Sequence, residues 1–411
     1  MKKIVFVINY FYPDLASTGQ LMTDLCTHLD KDFKITVIAA QPGYAGNTLN
    51  KLENSIEYIG NIKVVRLALP NVNKNSKISR LTYINSYFFR ALKALVKEKK
   101  IHLIYTISQP PILGGFLGTL GKMLKRCKHV YNIQDFNPEQ AVAANYTKSK
   151  LIISLAKKID MLNCYFSDHI VIVGNDMAQT LKERFKGKKV PRYSVINNWT
   201  NEDVIVPLMK NEQEVERFIN NYHLRGKFVL MYSGNLGLFY DLENLIKLAN
   251  ELKDKKDLVF LFVGEGARKK DMQNYVDKMG LKNVLFLPYQ PIENLKYSLN
   301  VADAHLVVNQ KGIKGVSVPS KIYGVLAAGK PIIGVLEEGS EAERLIIESE
   351  SGFVSEPQDY KAIKESIEKM YNMNEQQRIE MGLKGRRYLE KHLRRDISIE
   401  KYKQLLINLT E

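Results

Sequence analysis

Short apolar runs alternate with amphipathic stretches along almost the whole chain, and the alternation starts afresh half-way. In the first half the apolar runs fall at 3–8, 34–39, 63–67, 103–107, 129–133, 169–173 and 194–196, with helical patterns between them, for example at 19–29 and 84–97. In the second half they fall at 228–233, 258–263, 284–287, 304–308, 331–334 and 352–354, with helical stretches such as 242–253 and 267–279, and a tail, 359–409, that is helical in pattern throughout. Strands alternating with helices predict parallel sheets covered on both faces, so the fold class is α/β with two doubly wound halves. A chain of 411 residues is long enough for two such domains. The segment 198–210, with Trp199, Pro207 and several polar residues, reads as the joint. In doubly wound sheets ligands bind beyond the carboxyl ends of the strands, and a cleft between two such sheets is the first place to look for a site.

Composition removes several other classes. With 45% apolar and 25% charged residues the chain is neither disordered nor collagenous. Its three cysteines (Cys26, Cys127, Cys164) are scattered and form no CxxC pair, which argues against zinc and thioredoxin-type chemistry and for a reduced, cytoplasmic setting. The start, Met1–Asn9, has the flavour of a signal peptide, but its apolar run is short and Pro13-Asp14 follows, so a first buried strand is expected. The longest uncharged stretch, 101–121, is interrupted by Pro110-Pro111 and carries four glycines. It reads as a strand, a loop and a helix start, and no transmembrane helix is expected. No internal repeat or low-complexity tract is present.

The net charge of +16 is unevenly spread: residues 1–200 hold 29 Lys+Arg against 13 Asp+Glu, and residues 201–411 hold 31 of each. An excess confined to one half suggests a polyanionic surface, either membrane phosphates or nucleic acid, although it also serves solubility.

Glycine-bearing loops follow the strands in both halves. After the first strand comes Tyr10-Phe11-Tyr12-Pro13-Asp14-Leu15-Ala16-Ser17-Thr18-Gly19, in which Ser17 or Thr18 is placed to cap a helix and Gly19 permits close backbone approach. Gly234-Asn235-Leu236-Gly237 and Gly264-Glu265-Gly266 follow the first two strands of the second half. No strand–GxGxxG–helix unit occurs, which disfavours a dinucleotide site. The segment 311–331 runs from a glycine loop through Pro319 into a helix that Gly329 ends. Lys321 falls in the first helical turn, where a cation opposes the helix dipole unless an anion binds beside it. Lys311 and Lys314 flank the same loop, so a phosphate near Ser320 and Lys321 is the expected ligand.

The strings SVPSKIYGVLAAGKPIIGV, MYSGNLG, LFVGEG, VINNW and NYFYPDLASTGQ, in this order and spacing, resemble a GT-B glycosyltransferase of family 4. The similarity runs over nearly the whole chain and is greatest to the branch that builds O-antigen, capsule and colanic-acid repeat units, including N-acetyl-fucosamine transferases. It implies two facing Rossmann-like domains, 1–200 binding the acceptor and 201–390 binding a nucleotide sugar, with 391–411 as a helix crossing back onto the first. It further implies retention of anomeric configuration, a UDP-linked donor and no metal or other cofactor. By the same resemblance Gly19 faces the donor phosphate, Gly234 and Asn235 line the diphosphate, and Gly264, Glu265 and Gly266 with Pro288, Tyr289 and Gln290 lie along the base and ribose. Gly315, Val316, Ser317, Val318, Pro319, Ser320 and Lys321 lie against the sugar and diphosphate.

The chain departs from the family pattern in three places. Two glutamates common in the family align with Val316 and Gly324, so sugar contacts are expected from backbone N–H groups around Ser317. The usual diphosphate-binding Arg and Lys align with Asn235 and about Tyr240, which leaves Lys321 as the obvious cation. A histidine after the fifth strand is replaced by Gln134 within Tyr131-Asn132-Ile133-Gln134-Asp135. Asp135, just past a strand, is the candidate that orients or deprotonates an acceptor hydroxyl, and Glu139 is the second; each also reads as an acid at a helix start.

The expected function is transfer of an N-acetylated sugar from a UDP donor to a polyprenyl-pyrophosphate-linked saccharide, by a cytoplasmic protein held peripherally on the inner face of the membrane. Stretches 88–100, 116–128 and 146–158, which mix Leu, Ile or Phe with Lys, suit an anionic membrane surface. Two other readings are a nucleotide-sugar epimerase of the same fold and a nucleic-acid-binding protein. The first lacks the carboxylates at Val316 and Gly324; the second lacks zinc-finger spacing, an RNP motif or an Arg-rich helix.

Overall fold

In the computed structural model, which describes every residue except Leu15, 43–52, 72–76, Asn145, Thr147 and Lys148, the chain forms two compact units. The first comprises Met1–Asn197 and Ser398–Glu411, the second Asn198–Ile397.

The first unit is built on strands β1 (Lys3–Val7), β2 (Lys34–Ala40), β3 (Ser55–Ile59), β4 (Ile62–Leu67), β5 (Leu103–Ile107), β6 (Lys128–Ile133), β7 (His169–Ile172) and β8 (Tyr193–Val195). They form one sheet in the order β3-β4-β2-β1-β5-β6-β7-β8. All neighbouring pairs are parallel except β3 with β4. Its helices are α1 (Ser17–Leu29), α2 (Lys77–Lys97), α3 (Leu113–Lys125), α4 (Glu139–Ala143), α5 (Lys150–Phe166) and α6 (Asn175–Arg184). Central strands such as β5 are buried at every residue, the signature of a parallel sheet covered on both faces.

The stretch 101–121 resolves into β5 and the start of α3. Glycines line the side of α3 that meets the sheet. A Cβ at Gly114 would lie 2.0 Å from the Ile107 carbonyl oxygen, and one at Gly118 would lie 1.9 Å from His129 Nε2. The small residues bring α3 onto β5 and β6 closer than any side chain permits, so the uncharged run is a packing device. The antiparallel β3 was not expected from the strand pattern. It is an edge strand with a half-exposed face, paired to β4 through a turn at Gly60-Asn61 in which Gly60 has φ +56°.

The second unit contains β9 (Phe228–Ser233), β10 (Leu258–Val263), β11 (Val284–Leu287), β12 (Ala304–Val308), β13 (Ile332–Val335) and β14 (Gly352–Ser355) in the wholly parallel order β11-β10-β9-β12-β13-β14. The order reverses between β9 and β12, the switch point at which such sheets bind ligands. Its helices are α7 (Gln213–Asn221), α8 (Leu242–Leu245), α9 (Lys247–Glu251), α10 (Lys269–Met279), α11 (Leu295–Asn300), α12 (Lys321–Ala327), α13 (Glu341–Glu348), α14 (Tyr360–Asn372) and α15 (Glu375–His392). The helix expected over 242–253 is two short pieces, because the chain tightens at Ile246, whose carbonyl accepts from Ala249. Side chains alternate across the sheet: Leu230, Tyr232, Phe260 and Phe262 pack on one face, Val229, Met231, Leu261 and Val263 on the other.

The expected joint, 198–210, is not slack. Arg386 donates to the carbonyls of Glu202, Ile205 and Ala327, Asn300 bonds Val206 and Leu208, and Lys210 pairs with Asp303 at 2.8 Å, so the segment is fastened to the second unit. The last helix, α16 (Arg395–Thr410), contributes Ser398 onward to the first unit. There Tyr402, fully buried, has its hydroxyl 2.7 Å from the Asn132 amide.

Candidate functional site

Three loops at the carboxyl ends of β9, β10 and β11 interlock through backbone. The Gly234 N–H donates to the Val263 carbonyl, the Gly264 N–H to the Leu287 carbonyl and the Leu236 N–H to the Glu265 carbonyl, each at 2.9 Å. Gly264, at φ +146°, leaves no room for a side chain, since its Cβ would lie 1.9 Å from the Gly234 carbonyl oxygen. A Cβ at Gly266 would meet the Leu236 oxygen at 2.2 Å. Gly234, at φ +145°, opens onto Lys321: a Cβ there would meet Lys321 Cε at 3.4 Å. Gly234, Gly264 and Lys321 are therefore contiguous, with Tyr289 against Gly264.

Lys321 is the centre of the cluster. Its Nζ donates to the Tyr232 hydroxyl at 2.6 Å and lies 3.9 Å from the Tyr232 ring centre and 4.1 Å from that of Tyr240. The Tyr232 hydroxyl in turn donates to the Asn235 carbonyl at 2.8 Å. Lys321 is partly buried, and desolvation pushes its pKa down to about 7. Among the described residues no carboxylate pairs with it, and desolvation is the only cause of the shift. Ring quadrupoles offset part of the cost of burying the charge, and the two tyrosines carry no negative charge. Tyr240 forms a wall of this cage. Tyr232 was not anticipated. The signal was its place on β9, two residues before Gly234, on the face shared with Phe260 and Phe262.

The loop 311–320 departs from the sequence reading. Glu337, just past β13, fills the concavity formed by its amides: Oε2 accepts from the N–H groups of Gly312, Ile313 and Lys314 at 2.9, 3.0 and 2.9 Å. Lys314 donates to the Glu338 carbonyl. The N–H groups of Val316 and Ser317 both donate to the Ile313 carbonyl, at 2.9 and 3.3 Å. The anion this loop holds is the protein's own carboxylate, its amides around Ser317 are already bonded, and Lys314 is not grouped with Lys321. Val316, Val318 and Pro319 are buried, with Gly315 beside them, so this stretch serves as the wall that presents Ser320 and Lys321. Glu265 is exposed and paired with Lys269 at 2.6 Å; Pro288 is exposed and Gln290 folds back to its carbonyl at 3.1 Å.

In the first unit the strand ends carry a second set. Gly19 packs on Tyr10, where a Cβ would meet Tyr10 Cβ at 3.1 Å. Neither Ser17 nor Thr18 caps α1: Ala16 occupies the cap position without a side-chain bond, and the Thr18 hydroxyl donates instead to Gln109 Oε1 at 3.1 Å. The Ser108 hydroxyl accepts from the backbone N–H groups of Gln134 and Asp135, at 3.1 and 3.2 Å, fixing the turn after β6. Gln134 points inward, donating to Asn132 Oδ1 at 2.7 Å. Asp135 is half-buried and accepts from Gln140 Nε2 at 2.9 Å. Glu139 is held by Arg184 and by Lys157 at 3.5 Å. Burial alone would raise its pKa, but the Arg184 guanidinium overrides that and lowers it, so Glu139 is a poor proton acceptor. Arg184 also pairs with buried Asp160, making the group structural.

Among the described residues there is no cluster of three or more His, Cys, Asp or Glu able to hold a metal, and no helix long and apolar enough to cross a membrane.

Comparison with known proteins bears on the family and the fold. Residues 212–387 match the family of glycosyl transferases group 1. The chain is 27% identical over 406 residues to a probable glycosyltransferase, WbjE, of Pseudomonas aeruginosa, covering 98% of this chain and 97% of that one. It is 25% identical over 360 residues to the putative colanic acid biosynthesis glycosyl transferase WcaI of Escherichia coli K12, covering 84% and 86%. Among solved structures, Alr3699/HepE of Anabaena in complex with UDP and glucose superimposes with a TM-score of 0.74 at 14% identity, over 100% of both chains.

Proposed function

We propose that this chain, a GT-B glycosyltransferase of group 1, transfers a sugar residue from a UDP donor during assembly of a bacterial surface polysaccharide. The observation that carries the donor reading is Lys321: a cation enclosed by Tyr232 and Tyr240, without a counter-ion among the described residues, beside the glycine loops at the strand ends of the second unit. A diphosphate supplies the absent charge. In transfer the bond between the anomeric carbon and the diphosphate oxygen breaks and a bond to an acceptor hydroxyl forms. Lys321 stabilises the negative charge that grows on the departing UDP, the effect that dominates in reactions of this type. The acceptor proton goes to the leaving diphosphate, which retention places on the same face of the sugar, while Asp135 of the first unit orients the hydroxyl.

The donor sugar is read as N-acetylated, with N-acetyl-fucosamine first in line, and the acceptor as a saccharide on a polyprenyl pyrophosphate. Both follow from the branch of the family that the chain resembles. The named function of WcaI in colanic acid synthesis supports the surface-polysaccharide setting, and the first unit's basic charge supports a site at the inner membrane face. No metal is assigned a part in donor binding.

Calorimetry with UDP, GDP and ADP tests the donor. UDP is expected to bind best, and equal or tighter binding of GDP overturns the assignment. The mass of the product formed from a mixture of UDP-sugars identifies the sugar transferred, and nucleotide-sugar isomerised without any acceptor would signify an epimerase instead.

A further inference from the structure

Helix α5 is built inside out. It buries Asp160, Asn163 and Cys164 and exposes Leu151 (79%), Leu155 (58%), Leu162 (49%) and Tyr165 (65%). At 3.6 residues per turn these four lie along one stripe. The buried polar groups fix the helix in this orientation. Asp160 accepts from the Tyr131 hydroxyl at 2.8 Å and pairs with Arg184, and the Asn163 amide donates to the Ile112 carbonyl at 3.0 Å. The stripe therefore cannot turn inward.

The apolar surface continues past the end of the helix. Lys122 Nζ donates to the Phe166 carbonyl at 2.9 Å, tying the ends of α3 and α5 together, and at that end α3 leaves Met123 and Leu124 more than half exposed. The exposed charge on the two helices has one sign, while Asp168, just past the end of α5, pairs with Lys122 at 2.8 Å and Glu139 with Lys157 at 3.5 Å. Helix α3 contains no acidic residue, and the only acid in α5 is the buried Asp160. Lys150 and Lys158 lie on α5 with no carboxylate partner among the described residues.

We propose that α5, with the end of α3, docks in the plane of an anionic phospholipid bilayer, its apolar stripe among the acyl chains and Lys150 and Lys158 at the headgroup phosphates. Exposed apolar residues with Lys150 to one side and Lys158 among them, its long stem able to carry the ammonium up to the phosphates, are what an interfacial helix requires. A second copy of the chain fits this face poorly, because a two-fold contact centred on the stripe sets Lys158, at the middle of α5, against its own counterpart. The proposal deepens the reading of a lipid-carried acceptor and rests on that reading for its purpose: docking brings the enzyme to a substrate that does not leave the membrane.

The test uses the full chain, sedimented with vesicles of phosphatidylcholine alone or mixed with phosphatidylglycerol, at low and high salt, with UDP affinity measured in parallel. The wild type is expected to pellet with the anionic vesicles and to keep part of that binding at high salt. Combined Leu151→Ser, Leu155→Ser and Leu162→Ser should lower partitioning at least about tenfold, because binding strength follows the apolar area buried. Lys150→Glu with Lys158→Glu should remove the preference for anionic lipid. UDP affinity should be unchanged in both variants, which also reports that they fold. A serine variant that pellets like the wild type overturns the proposal, as does a wild type that binds neither vesicle. A dimer that the serine variant converts to a monomer assigns the face to self-association and overturns it too. A wild type that docks but binds no UDP leaves the docking face standing and removes the donor reading.

Discussion

Lys321 is a residue whose charge is unfinished. A lysine in an unfolded chain titrates near 10.4, whereas in the fold this one is pushed down to about 7. Between those values the unfolded chain holds the proton and the folded one does not, so this group adds stability as pH rises from about 7 to about 10 and withholds it below 7. A bound diphosphate favours the ammonium and reverses the shift. UDP binding at pH 8 is therefore expected to take up a large part of a proton, measurable by calorimetry in two buffers of different ionisation enthalpy, and affinity should fall as pH rises above the free pKa, by up to about tenfold per unit, until the bound pKa is reached. Lys321→Met should abolish the uptake, and Lys321→Ala should weaken UDP binding by ~1.5–3 kcal/mol. A flat pH profile with full affinity in the variant would show that the cage is only structural. On the acceptor side, Asp135→Asn keeps the size and removes the charge; turnover should drop ~10²-fold with UDP affinity nearly intact. Turnover within a few-fold of wild type would make Asp135 structural. Lys321 was legible in the sequence because few cations sit beside a glycine loop at a helix start. The cage was not, since Tyr232 and Tyr240 meet Lys321 only across the sheet's ligand edge. Nor was Glu337, 25 residues from the amide it accepts at Gly312.

At the scale of elements, the parallel strands were the most legible feature, since each is a continuous apolar run bounded by turn residues. Boundaries drifted where the determinant was not local. Helix α2 begins at Lys77 rather than at 84, and β3 escaped notice because half of its residues face solvent. The glycines separate into two kinds that look alike in the sequence. Gly118 lies where α3 touches the sheet, and a Cβ there has only 1.9 Å to His129 Nε2. Gly324 lies in α12, where a Cβ would meet Leu299 Cδ1 at an ordinary 3.6 Å. Gly118→Ala is expected to cost ~1–3 kcal/mol through overpacking. Gly324→Ala should instead be neutral or stabilising by ~0.5–1 kcal/mol, because alanine loses less entropy in a helix. Denaturant titrations of both variants decide the matter. Equal effects would mean that the closeness of α3 to the sheet does not set the cost.

For the whole molecule, two sheets were legible from the restart of the strand pattern at 228, and the charge split from counting. The allegiance of the last helix came only from the family resemblance, which placed 391–411 on the first domain, because nothing in the pattern of 395–410 itself distinguishes a partner at residue 132 from one nearby. In the fold Tyr402, Leu406 and Ile399 are buried in the first unit. The Asn132 amide lies 2.7 Å from the Tyr402 hydroxyl and 2.8 Å from that of Tyr105, and its oxygen accepts from Gln134. The chain's end thus completes the same polar network that holds the turn carrying Asp135. Tyr402→Ala removes a fully buried ring, for which ~3–5 kcal/mol is the usual cost, and takes a partner from a buried amide. The loss should be confined to the first unit. Hydrogen exchange is expected to show β5, β6 and the turn at Gln134–Asp135 losing protection while β9 and β10 keep theirs, with UDP affinity within about twofold of wild type, since every residue assigned to the nucleotide except Gly19 lies in the second unit. Tyr402→Phe keeps the ring and removes only the hydroxyl, so it should recover most of the protection in β5 and β6 but not that of the turn. Loss of protection in both units together would show that they unfold as one, and the assignment of the last helix to the first unit alone would then have no energetic meaning.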